Sequence, residues 1–485
     1  MMKDETLQQQ KVEVVTGGRK RSPEDPSRAA GVGLAQQGIH DLQSAIGFME
    51  AQGDLARIQS EVDIEYELAG IAQQLEGGRC TLFEQVRGSP HQVLVGLYWN
   101  RHILARMFGC EFRQLPFVIA DAISEWQQTP VDPVAIDTAP CQEIVLSETD
   151  LRELPIPIHA LNDGGPYIDS SIVIARDPDT GVRNASIMRF MVAGPDVLTG
   201  QMDEGRHLRD YYERAEARGE PLEMTISNGV DPSVHFAAAA PASVAPIDRD
   251  ELGIASHLRG EPLELVPGKF VNVEAIASAQ FVIEVEALPE VRRPEGPFAE
   301  VTGYYAPRKD RWTFRVKGIT MRRNPIWQTI LSGKEVYNSV GLLGEAAVYR
   351  LVSRQVPAVQ AVYFSHGGCG FYHAVIQLRK NTEGIQKNAI MATFAAFPSL
   401  KMVIAVDDDV DIYSADEVEW ALATRFRADR DLFVVPFARG HELNPSTDAG
   451  ITHKVGIDAT APYPRSETFE RAKTLEVDLG EYEIT

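Results

Sequence analysis

The chain has 485 residues, of which 44% are hydrophobic and 24% charged, so it is long enough for about two or three globular domains. Its 69 acidic residues outnumber the 47 basic ones, and the resulting net charge of −22 leaves no basic surplus for binding a nucleic-acid backbone. It contains no uninterrupted apolar run long enough to span a membrane.

The cysteines indicate the cellular compartment, and the composition of the N-terminal segment indicates where the folded region begins. Cys80, Cys110, Cys141 and Cys369 lie far apart and form no CxxC pair, so we expect reduced, buried thiols in a cytoplasmic protein. Residues 1–40 are rich in charged residues, Gln, Gly and Pro, and they lack the apolar core of a secretion signal. We predict a disordered tail there.

The first domain is predicted over residues 41–126 and has α/β character. Asp41 is suited to cap a helix that begins directly after it, and a second helix is predicted over residues 100–108. The apolar stretch 93–97 lies just before that helix and completes the unit. The segment that follows, up to residue 166, is rich in proline, which supplies no amide donor to a β-ladder. It is therefore predicted to be linker or edge structure.

The central region, residues 127–323, is predicted to be a β-barrel or sandwich. Residues 171–175 and 182–192 are apolar or β-branched stretches separated by turn residues, which predicts a hairpin. Residues 281–286 and 312–317 alternate apolar with polar side chains. That alternation is typical of half-buried antiparallel strands.

The C-terminal region, residues 324–485, is again predicted to be α/β. Residues 341–354 have helical periodicity, and residues 402–406 form a short apolar strand. Ser414 and Glu417 have the spacing of a capping box ahead of another helix. The three regions together predict an α/β multidomain protein.

The segment Glu295-Gly296-Pro297-Phe298-Ala299-Glu300 sets two carboxylates on either side of a Gly-Pro bend, directly after an apolar strand. A bend can turn both side chains into one cavity, where burial and mutual repulsion raise the pKa of one of them. A carboxylic acid that stays partly protonated near neutral pH can donate a proton. The alternative is that both glutamates are solvated loop residues, and the segment taken alone favours that alternative.

Asn184 and Arg189 lie five residues apart in the second strand of the predicted hairpin. In a regular strand such residues face opposite sides and are separated by roughly 16 Å. They can serve one site only if the strand is bent or if the ligand is long, as a flavin nucleotide is. The alternative places both at exposed positions of an edge strand.

His207 and Glu251 are two further residues with ligand chemistry in the central region. An asparagine oxygen, an imidazole and a carboxylate together suit Mn²⁺ or Mg²⁺ bridging a phosphate. Spacing alone does not bring Asn184, His207 and Glu251 together. A single histidine is more often a surface or core residue than a ligand.

Several common catalytic motifs are missing from the sequence. It has neither a Walker A loop nor a Rossmann glycine signature. His366-Gly367-Gly368 resembles an oxyanion loop, but no GxSxG elbow occurs. These gaps weigh against P-loop enzymes, ordinary nicotinamide dehydrogenases and serine hydrolases.

Several separated segments resemble the UbiD family of reversible decarboxylases, and they occur in that family's order from about Asp41 to the C-terminus. The segments are Gly165-Pro166-Tyr167, Asp177-Pro178-Asp179-Thr180-Gly181-Val182-Arg183-Asn184, Arg189, Glu295-Gly296-Pro297-Phe298, Thr302-Gly303-Tyr304 and Lys454-Val455-Gly456-Ile457-Asp458-Ala459-Thr460. Because several blocks in one order are more specific than any single block, the chain is identified as a member of this family.

The resemblance implies a fold, a cofactor and partners. The family has an N-terminal α/β region, a central split β-barrel of flavin-reductase type and a C-terminal α/β domain used in oligomerisation, which agrees with the three regions above. Its cofactor is prenylated FMN, whose phosphate binds a divalent metal, Mn²⁺ or Mg²⁺, with K⁺ nearby. The implied partners are a small carboxylic acid substrate, a flavin prenyltransferase that supplies the cofactor, and copies of the chain in a homodimer or homohexamer. Nucleic acid and membrane are not expected.

The resemblance also implies roles for single residues. The catalytic positions of the family correspond to Arg189, Glu295 and Glu300. Its metal-ligand positions correspond to Asn184, His207 and Glu251, which together with Arg189 also count as cofactor contacts. The remaining cofactor contacts correspond to Ser186, Ile187, Met188, Arg206 and Lys401. Lys401 aligns more loosely, and Arg206 stands where some relatives have glutamine.

In the implied reaction, Arg189 positions the substrate carboxylate and tunes the flavin. Glu300 delivers a proton to the carbon after carbon dioxide leaves, and Glu295 hydrogen-bonds Arg189. The pocket walls are expected from residues 325–332 and 437–445. The substrate is expected to be an aromatic, heteroaromatic or α,β-unsaturated acid, with the first two favoured.

Two functions of other classes stay open at this point. One is a flavin- or phosphate-binding module without catalytic activity. The other is a metal-dependent hydrolase in which Asn184, His207 and Glu251 activate water. Retention of Arg189 with both glutamates favours the decarboxylase over a degenerate binding module.

Overall fold

The computed structural model describes residues 31–241, 244–472 and 474–475, and this part of the chain contains ten α-helices and 23 β-strands. The helices are α1 (Leu42–Ala51), α2 (Glu67–Leu75), α3 (Arg101–Met107), α4 (Leu115–Gln128), α5 (His207–Glu216), α6 (Pro232–Ala238), α7 (Leu252–Arg259), α8 (Lys334–Gln355), α9 (Ile385–Ala396) and α10 (Ala415–Arg425). The strands are β1 (Leu55–Val62), β2 (Cys80–Val86), β3 (Gln92–Val95), β4 (Val134–Ala135), β5 (Ile144–Leu146), β6 (Tyr167–Ile168), β7 (Ile172–Arg176), β8 (Arg183–Ile187), β9 (Phe190–Val192), β10 (Val197–Gly200), β11 (Leu222–Asn228), β12 (Glu264–Pro267), β13 (Glu274–Ile276), β14 (Phe281–Glu295), β15 (Phe298–Ala299), β16 (Tyr305–Ala306), β17 (Lys309–Met321), β18 (Ile326–Thr329), β19 (Val359–Phe364), β20 (His373–Leu378), β21 (Met402–Asp407), β22 (Leu432–Arg439) and β23 (Ile451–Ala459).

The N-terminal region contains a four-stranded sheet in the order β1-β2-β3-β18. The predicted cap of α1 is confirmed, because the Asp41 carboxylate accepts the Ser44 amide at 2.7 Å. The predicted second helix corresponds to α3. One expectation is wrong: Ile326–Thr329, which follow the predicted boundary at residue 324, pair in parallel with β3 instead of joining the C-terminal region. All four of these residues are buried in the N-terminal sheet.

The packed structure begins earlier than the sequence predicted. Leu34–Gln37 form a short 3-10 helix, and the side chains of Leu34 and Ile39 are buried. A Cβ atom on Gly33 would lie 2.4 Å from the Arg259 carbonyl oxygen, so the backbone approaches α7 more closely than another residue would allow. The predicted tail is therefore too long at its C-terminal end, and its first 30 residues lie outside the described range.

The central region is a curled half-barrel whose strands run in the order β6-β9-β10-β17-β14-β11-β7-β8, with β5 also paired to β17. The long strands β14 and β17 are antiparallel, as predicted. Phe281 and Ile283 of β14 and Phe314 of β17 face one apolar core. The predicted β architecture is confirmed.

Glu284 departs from the predicted alternation of buried and exposed residues on β14. It is 0% exposed, and its carboxylate accepts the amides of Lys269, Phe270 and Val271 at 2.8, 2.6 and 2.9 Å. These hydrogen bonds offset the cost of removing a charge from water. The loop of residues 269–271, which lies 13 to 15 positions before Glu284, covers this face, and the alternation along β14 does not predict it.

The predicted strand 182–192 is divided into two strands, β8 and β9. Strand β8 pairs with β7, whereas β9 pairs with β6 and β10. Met188 and Arg189 lie in the break between them, where the Met188 carbonyl accepts a hydrogen bond from the Ser171 hydroxyl. The strand is therefore interrupted between Asn184 and Arg189, which agrees with the first of the two conditions under which both could serve one site.

The C-terminal region is a five-stranded mixed sheet in the order β19-β20-β21-β23-β22. Helix α8 packs against α4, β19 and α9, and α9 also packs against β21 and β23. The predicted helix 341–354 lies within α8, the predicted strand corresponds to β21, and Ser414 caps α10 as expected. No helix in the described part of the chain combines the length and apolarity that a membrane crossing needs.

Candidate active site

The three predicted catalytic side chains meet at the end of β14. Nη2 of Arg189 lies 2.9 Å from Oε1 of Glu300, and Nε of Arg189 lies 3.8 Å from Oε1 of Glu295. Gly296 has a φ of 90°, so the chain turns between the two glutamates as the Gly-Pro segment predicted. Glu295 is 3% exposed and Glu300 7%, which excludes the alternative of two solvated loop residues.

Contacts from two other segments fix the loop that carries Glu300. The Ala299 amide donates to Oδ1 of Asp163 at 2.8 Å, and the Ala299 carbonyl accepts the Ser332 hydroxyl at 2.9 Å. The Glu300 amide itself donates to the Tyr304 carbonyl at 2.9 Å. Glu300 is thus held by contacts on both sides rather than carried on a free loop.

Burial raises the pKa of Glu300 above its ordinary value. The positive charge of Arg189 opposes this shift, and the nearby negative charge of Glu295 adds to it. Glu300 therefore keeps its proton to a higher pH than an exposed glutamate does. Such a group can act as a proton donor near neutral pH.

Glu295 is bound by residues other than Arg189. Its Oε1 accepts the Tyr167 hydroxyl at 2.8 Å, and its Oε2 lies 3.8 Å from Nε of Arg311. The predicted hydrogen bond between Arg189 and Glu295 is absent, because the distance of 3.8 Å is too long. Phe298 completes the cluster, with its ring centroid 4.4 Å from Cζ of Arg189.

Two of the predicted metal ligands, Asn184 on β8 and Glu251 directly before α7, are in contact. Nδ2 of Asn184 donates to Oε1 of Glu251, and both side chains are buried. Oδ1 of Asn184 and Oε2 of Glu251 are also buried and have no hydrogen-bond partner among the described residues. Burial raises the pKa of Glu251 to about 8. Two buried oxygens without a donor fit a hard divalent cation.

The third predicted ligand, His207, is the first residue of α5, which packs against β7 and β8. Burial and the neighbouring charge of Arg206 lower the pKa of His207, so its imidazole is neutral and available as a ligand. No contact joins His207 itself to the Asn184–Glu251 pair within the described ranges.

The remaining predicted cofactor contacts on β8 continue from Asn184 toward Arg189. The Ser186 hydroxyl is buried without a hydrogen-bond partner in the described part of the chain. Ile187 packs against one apolar core and Met188 belongs to another. Arg206 is exposed at the cap of α5. Among these predicted contacts, Ser186 therefore adds one more unsatisfied polar atom to those of Asn184 and Glu251.

Lys401 lies directly before β21, in the C-terminal region, whereas the other predicted cofactor contacts lie in the central region. Its ammonium donates to the Ser446 hydroxyl, and its amide donates to the Tyr372 carbonyl at 2.7 Å. Burial raises the pKa of the Tyr372 phenol, and the nearby charges of Cys369 and Glu300 add to the shift. The His441 ring, in the predicted wall 437–445, lies 6.2 Å from the Tyr372 ring. Across the described ranges no contact links Lys401 to the metal-ligand positions, so its phosphate contact stays a prediction.

Sequence reasoning assigned no role to Tyr167, Phe298 or Arg311. The first two lie inside the segments that carried the family resemblance, so their positions were marked without a function. The sequence indicated Arg311 only weakly. It is a charged residue on β17, and the first residue of that strand pairs with Glu295 in the sheet.

Three family models match the chain in succession. They are the N-terminal domain of 3-octaprenyl-4-hydroxybenzoate carboxy-lyase over residues 46–123, its Rift-related domain over 133–335 and its C-terminal domain over 338–459. These are the three parts of one class of carboxy-lyases, and together they span most of the chain. The chain belongs to the UbiD family.

Similar proteins include a protein from the cooM 5′ region of Rhodospirillum rubrum, 53% identical over 92% of this chain and 96% of its own. The anhydromevalonate phosphate decarboxylase of Methanothermobacter thermautotrophicus is 37% identical over 88% of this chain and 99% of its own. The structure of the UbiD-class enzyme HmfF from Pelotomaculum thermopropionicum in complex with FMN has a TM-score of 0.88 at 40% identity, covering 92% of this chain and 100% of that one. An evolved dimeric form of HmfF in complex with prFMN has a TM-score of 0.84 at 37% identity, with the same coverage.

Proposed function

We propose that this protein is a reversible decarboxylase of a small aromatic, heteroaromatic or α,β-unsaturated acid and that it uses prenylated FMN. The observation that carries the proposal is the buried Glu300 at 2.9 Å from Arg189, with Glu295 beside both. Membership of a carboxy-lyase family supports the reaction class, and HmfF with bound prFMN supports the cofactor. When bound, the prenylated flavin supplies an electron sink for the pair left behind by departing carbon dioxide.

The side chains of the site have separate tasks in this reaction. Arg189 binds the carboxylate of the substrate and orients the bond that breaks. As the carbon–carbon bond breaks and carbon dioxide leaves, Glu300 gives its proton to the carbon, and solvent then returns a proton to Glu300. Glu295 balances the charge of Arg189 and keeps a negative charge close to Glu300.

Asn184, His207 and Glu251 would hold the divalent cation, Mn²⁺ or Mg²⁺, that binds the cofactor phosphate, with K⁺ nearby. Ser186, Ile187 and Met188 would line the cofactor, and Arg206 and Lys401 would reach its phosphate. A flavin prenyltransferase would supply the modified flavin. All four cysteines are free, and this supports a cytoplasmic location.

Removal of the metal is expected to weaken FMN binding by about 10- to 100-fold, because a phosphate would lose the cation that bridges it to Asn184 and Glu251. The measurement is a fluorescence titration of EDTA-treated protein with FMN, repeated after Mn²⁺ is restored. A Glu251→Gln variant should bind FMN as weakly as the EDTA-treated protein and should not recover with Mn²⁺. Equal FMN affinity with and without metal would contradict the proposed ligand set.

The proposed function is tested by producing the protein with and without a flavin prenyltransferase. Carbon dioxide release is then measured on a panel of furan-2-carboxylate, pyrrole-2-carboxylate, 3,4-dihydroxybenzoate, cinnamate and anhydromevalonate phosphate. Only the protein made with the prenyltransferase should be active. Release without the modified flavin, or cofactor binding with no turnover of any acid, would refute the proposal. Neither the hydrolase nor the binding module gains support from the relatives.

Aromatic and heteroaromatic acids are the proposed substrate class. Three aromatic rings stand together at the predicted wall that contains His441: the Phe371 and Tyr372 centroids are 4.5 Å apart, and the His441 ring lies 5.5 Å from that of Phe371. Such rings favour a planar aromatic ligand over a flexible aliphatic one. The aromatic members of the panel should therefore give higher kcat/KM values than anhydromevalonate phosphate.

We also propose that copies of the chain associate as a homodimer or homohexamer through β22. This strand lies at the edge of the C-terminal sheet and exposes Leu432, Val434 and Phe437 by 39%, 48% and 81%. An apolar edge strand is a surface that proteins normally cover. HmfF is known in an evolved dimeric form, which supports self-association.

A Val434→Glu variant is expected to shift the protein to a smaller oligomer, because the new charge would be buried against the second copy. Light scattering after size-exclusion chromatography measures the mass. Val145→Glu is a matched control, since Val145 of β5 is also 48% exposed. An unchanged mass for Val434→Glu would place the interface elsewhere.

A further inference from the structure

Two residues outside the family's catalytic set contact Glu295. The hydroxyl of Tyr167, which is 2% exposed on β6, donates to Oε1 at 2.8 Å. Nε of Arg311, on β17, lies 3.8 Å from Oε2. Glu295 pairs with Lys309 across the sheet, and Arg311 lies two residues further along the same strand, so their side chains share a face. Both oxygens of Glu295 therefore have a cationic or donating neighbour other than Arg189.

The Nε donor of Arg189 makes no hydrogen bond to a described residue, although Oε1 of Glu295 is close to it. Its Nε is buried and has no hydrogen-bond partner among the residues that the structure describes. Oε1 of Glu295 lies only 3.8 Å away. A guanidinium and a carboxylate that can move freely close to about 2.8 Å, because a charge-assisted hydrogen bond is strong at that distance. Nε of Arg311 is likewise buried without a partner among the described residues, at 3.8 Å from Oε2, so Glu295 is held between the two arginines by its hydrogen bond to Tyr167.

We propose that Tyr167 and Arg311 are positioning residues that keep Glu295 out of hydrogen-bond distance from Arg189, so that Nε of Arg189 stays free for the carboxylate of the substrate. Tyr167 holds the oxygen nearest to Arg189, and Arg311 attracts the other oxygen. The charge of Glu295 still acts on Arg189 through space without using its donor. This inference deepens the proposed decarboxylase function and rests on it.

The ring of Tyr167 also contributes to the separation of Arg189 from Glu295, through its contact with Phe298. It packs against Phe298 with centroids 4.5 Å apart, and the Phe298 ring lies 4.4 Å from Cζ of Arg189. Tyr167 thus fixes Glu295 through its hydroxyl and Arg189 through Phe298. Burial raises the pKa of Tyr167, so its hydroxyl remains a donor throughout the working pH range.

The segment before Tyr167 holds it against the loop of Glu295. The Gly164 amide donates to the Pro297 carbonyl at 2.7 Å. A Cβ atom on Gly164 would lie 2.3 Å from the Gly296 carbonyl oxygen, so only glycine permits this approach. The position of Tyr167 is therefore a property of the backbone and not of its hydroxyl, and removal of the hydroxyl alone should leave the ring in place.

The test is the Tyr167→Phe variant, with Arg311→Leu as a second variant that loosens the other oxygen. In crystals grown without substrate, the distance from Nε of Arg189 to Oε1 of Glu295 should fall from 3.8 Å to hydrogen-bond distance in Tyr167→Phe. For the acid that the parent enzyme decarboxylates fastest, KM should rise by about 10- to 100-fold in both variants, the effect of losing one charge-assisted hydrogen bond. The value of kcat should change less.

Tyr212→Phe is the matched control, because the Tyr212 hydroxyl also contacts a glutamate carboxylate, that of Glu216 at 2.5 Å, but outside this cluster. It should leave both readouts unchanged. A Tyr167→Phe structure that retains the gap, or a loss confined to kcat, would overturn the proposal. If the parent decarboxylates no acid of the panel, the proposed function fails, while the crystallographic distance still decides whether Tyr167 holds Glu295 back.

Discussion

A Glu300→Gln variant is expected to bind its cofactor normally and to lose decarboxylation by about 1,000-fold. The amide has nearly the shape of the carboxyl group and still offers an oxygen to Arg189, but it cannot give a proton to the carbon. General acid catalysis by one positioned group contributes about 10²- to 10⁴-fold. Carbon dioxide release, measured on protein whose flavin spectrum matches the parent, checks the expectation.

Glu286→Gln makes the same chemical change on β14 away from the site, where the carboxylate pairs with Lys317 at 3.1 Å. It should retain the parent activity. If Glu300→Gln also turned over at the parent rate with its cofactor in place, another group would have to be the proton donor. Tyr372 would be the next candidate, because its phenol is buried without a hydrogen-bond partner among the described residues and lies near Glu300.

Much of the fold could be predicted because the signals are local. The Asp41 cap and the antiparallel strands β14 and β17 each follow from a few neighbouring residues, and both features are present in the structure, although Glu284 departs from the alternation on β14. Pairings between distant segments leave no such local signal. The addition of β18 to β3 joins residues more than 200 positions apart. The loop over Glu284 lies only 13 to 15 positions before it, but the alternation along β14 does not show that this loop folds back over the strand.

The identities of the site residues could be predicted from motif order, but their contacts could not. Arg189, Glu295 and Glu300 meet as expected, since a bend at Gly296 and a strand break at Arg189 turn the three side chains together. The expected hydrogen bond from Arg189 to Glu295 was wrong because the position of Glu295 also depends on Tyr167, which binds the same carboxylate from a distant strand. Which of two donors reaches an oxygen is decided by differences of about 1 Å, and residue spacing does not resolve them.

Arg189→Met is expected to lower kcat/KM by about 100- to 1,000-fold, because it removes the group that receives the substrate carboxylate. It also leaves Glu295 and Glu300 buried together without the cation between them. The charge of Arg189 lowers the pKa of Glu300, so its loss should raise that pKa further. Since Glu300 must be protonated to act, the alkaline fall in kcat/KM should move to higher pH. A pH profile of kcat/KM for the parent and the variant measures both effects.

Arg189→Lys separates the charge from the shape of the guanidinium. Lysine keeps a cation near Glu300 but offers no planar pair of donors. The alkaline limb should therefore stay close to that of the parent, while KM rises as in the methionine variant. The exposed Arg315 on β17 supplies a matched control, and Arg315→Met should change neither quantity. If Arg189→Met left the alkaline limb in place, Glu300 would not be the group whose protonation limits the reaction, even if the loss of kcat/KM were as large as expected.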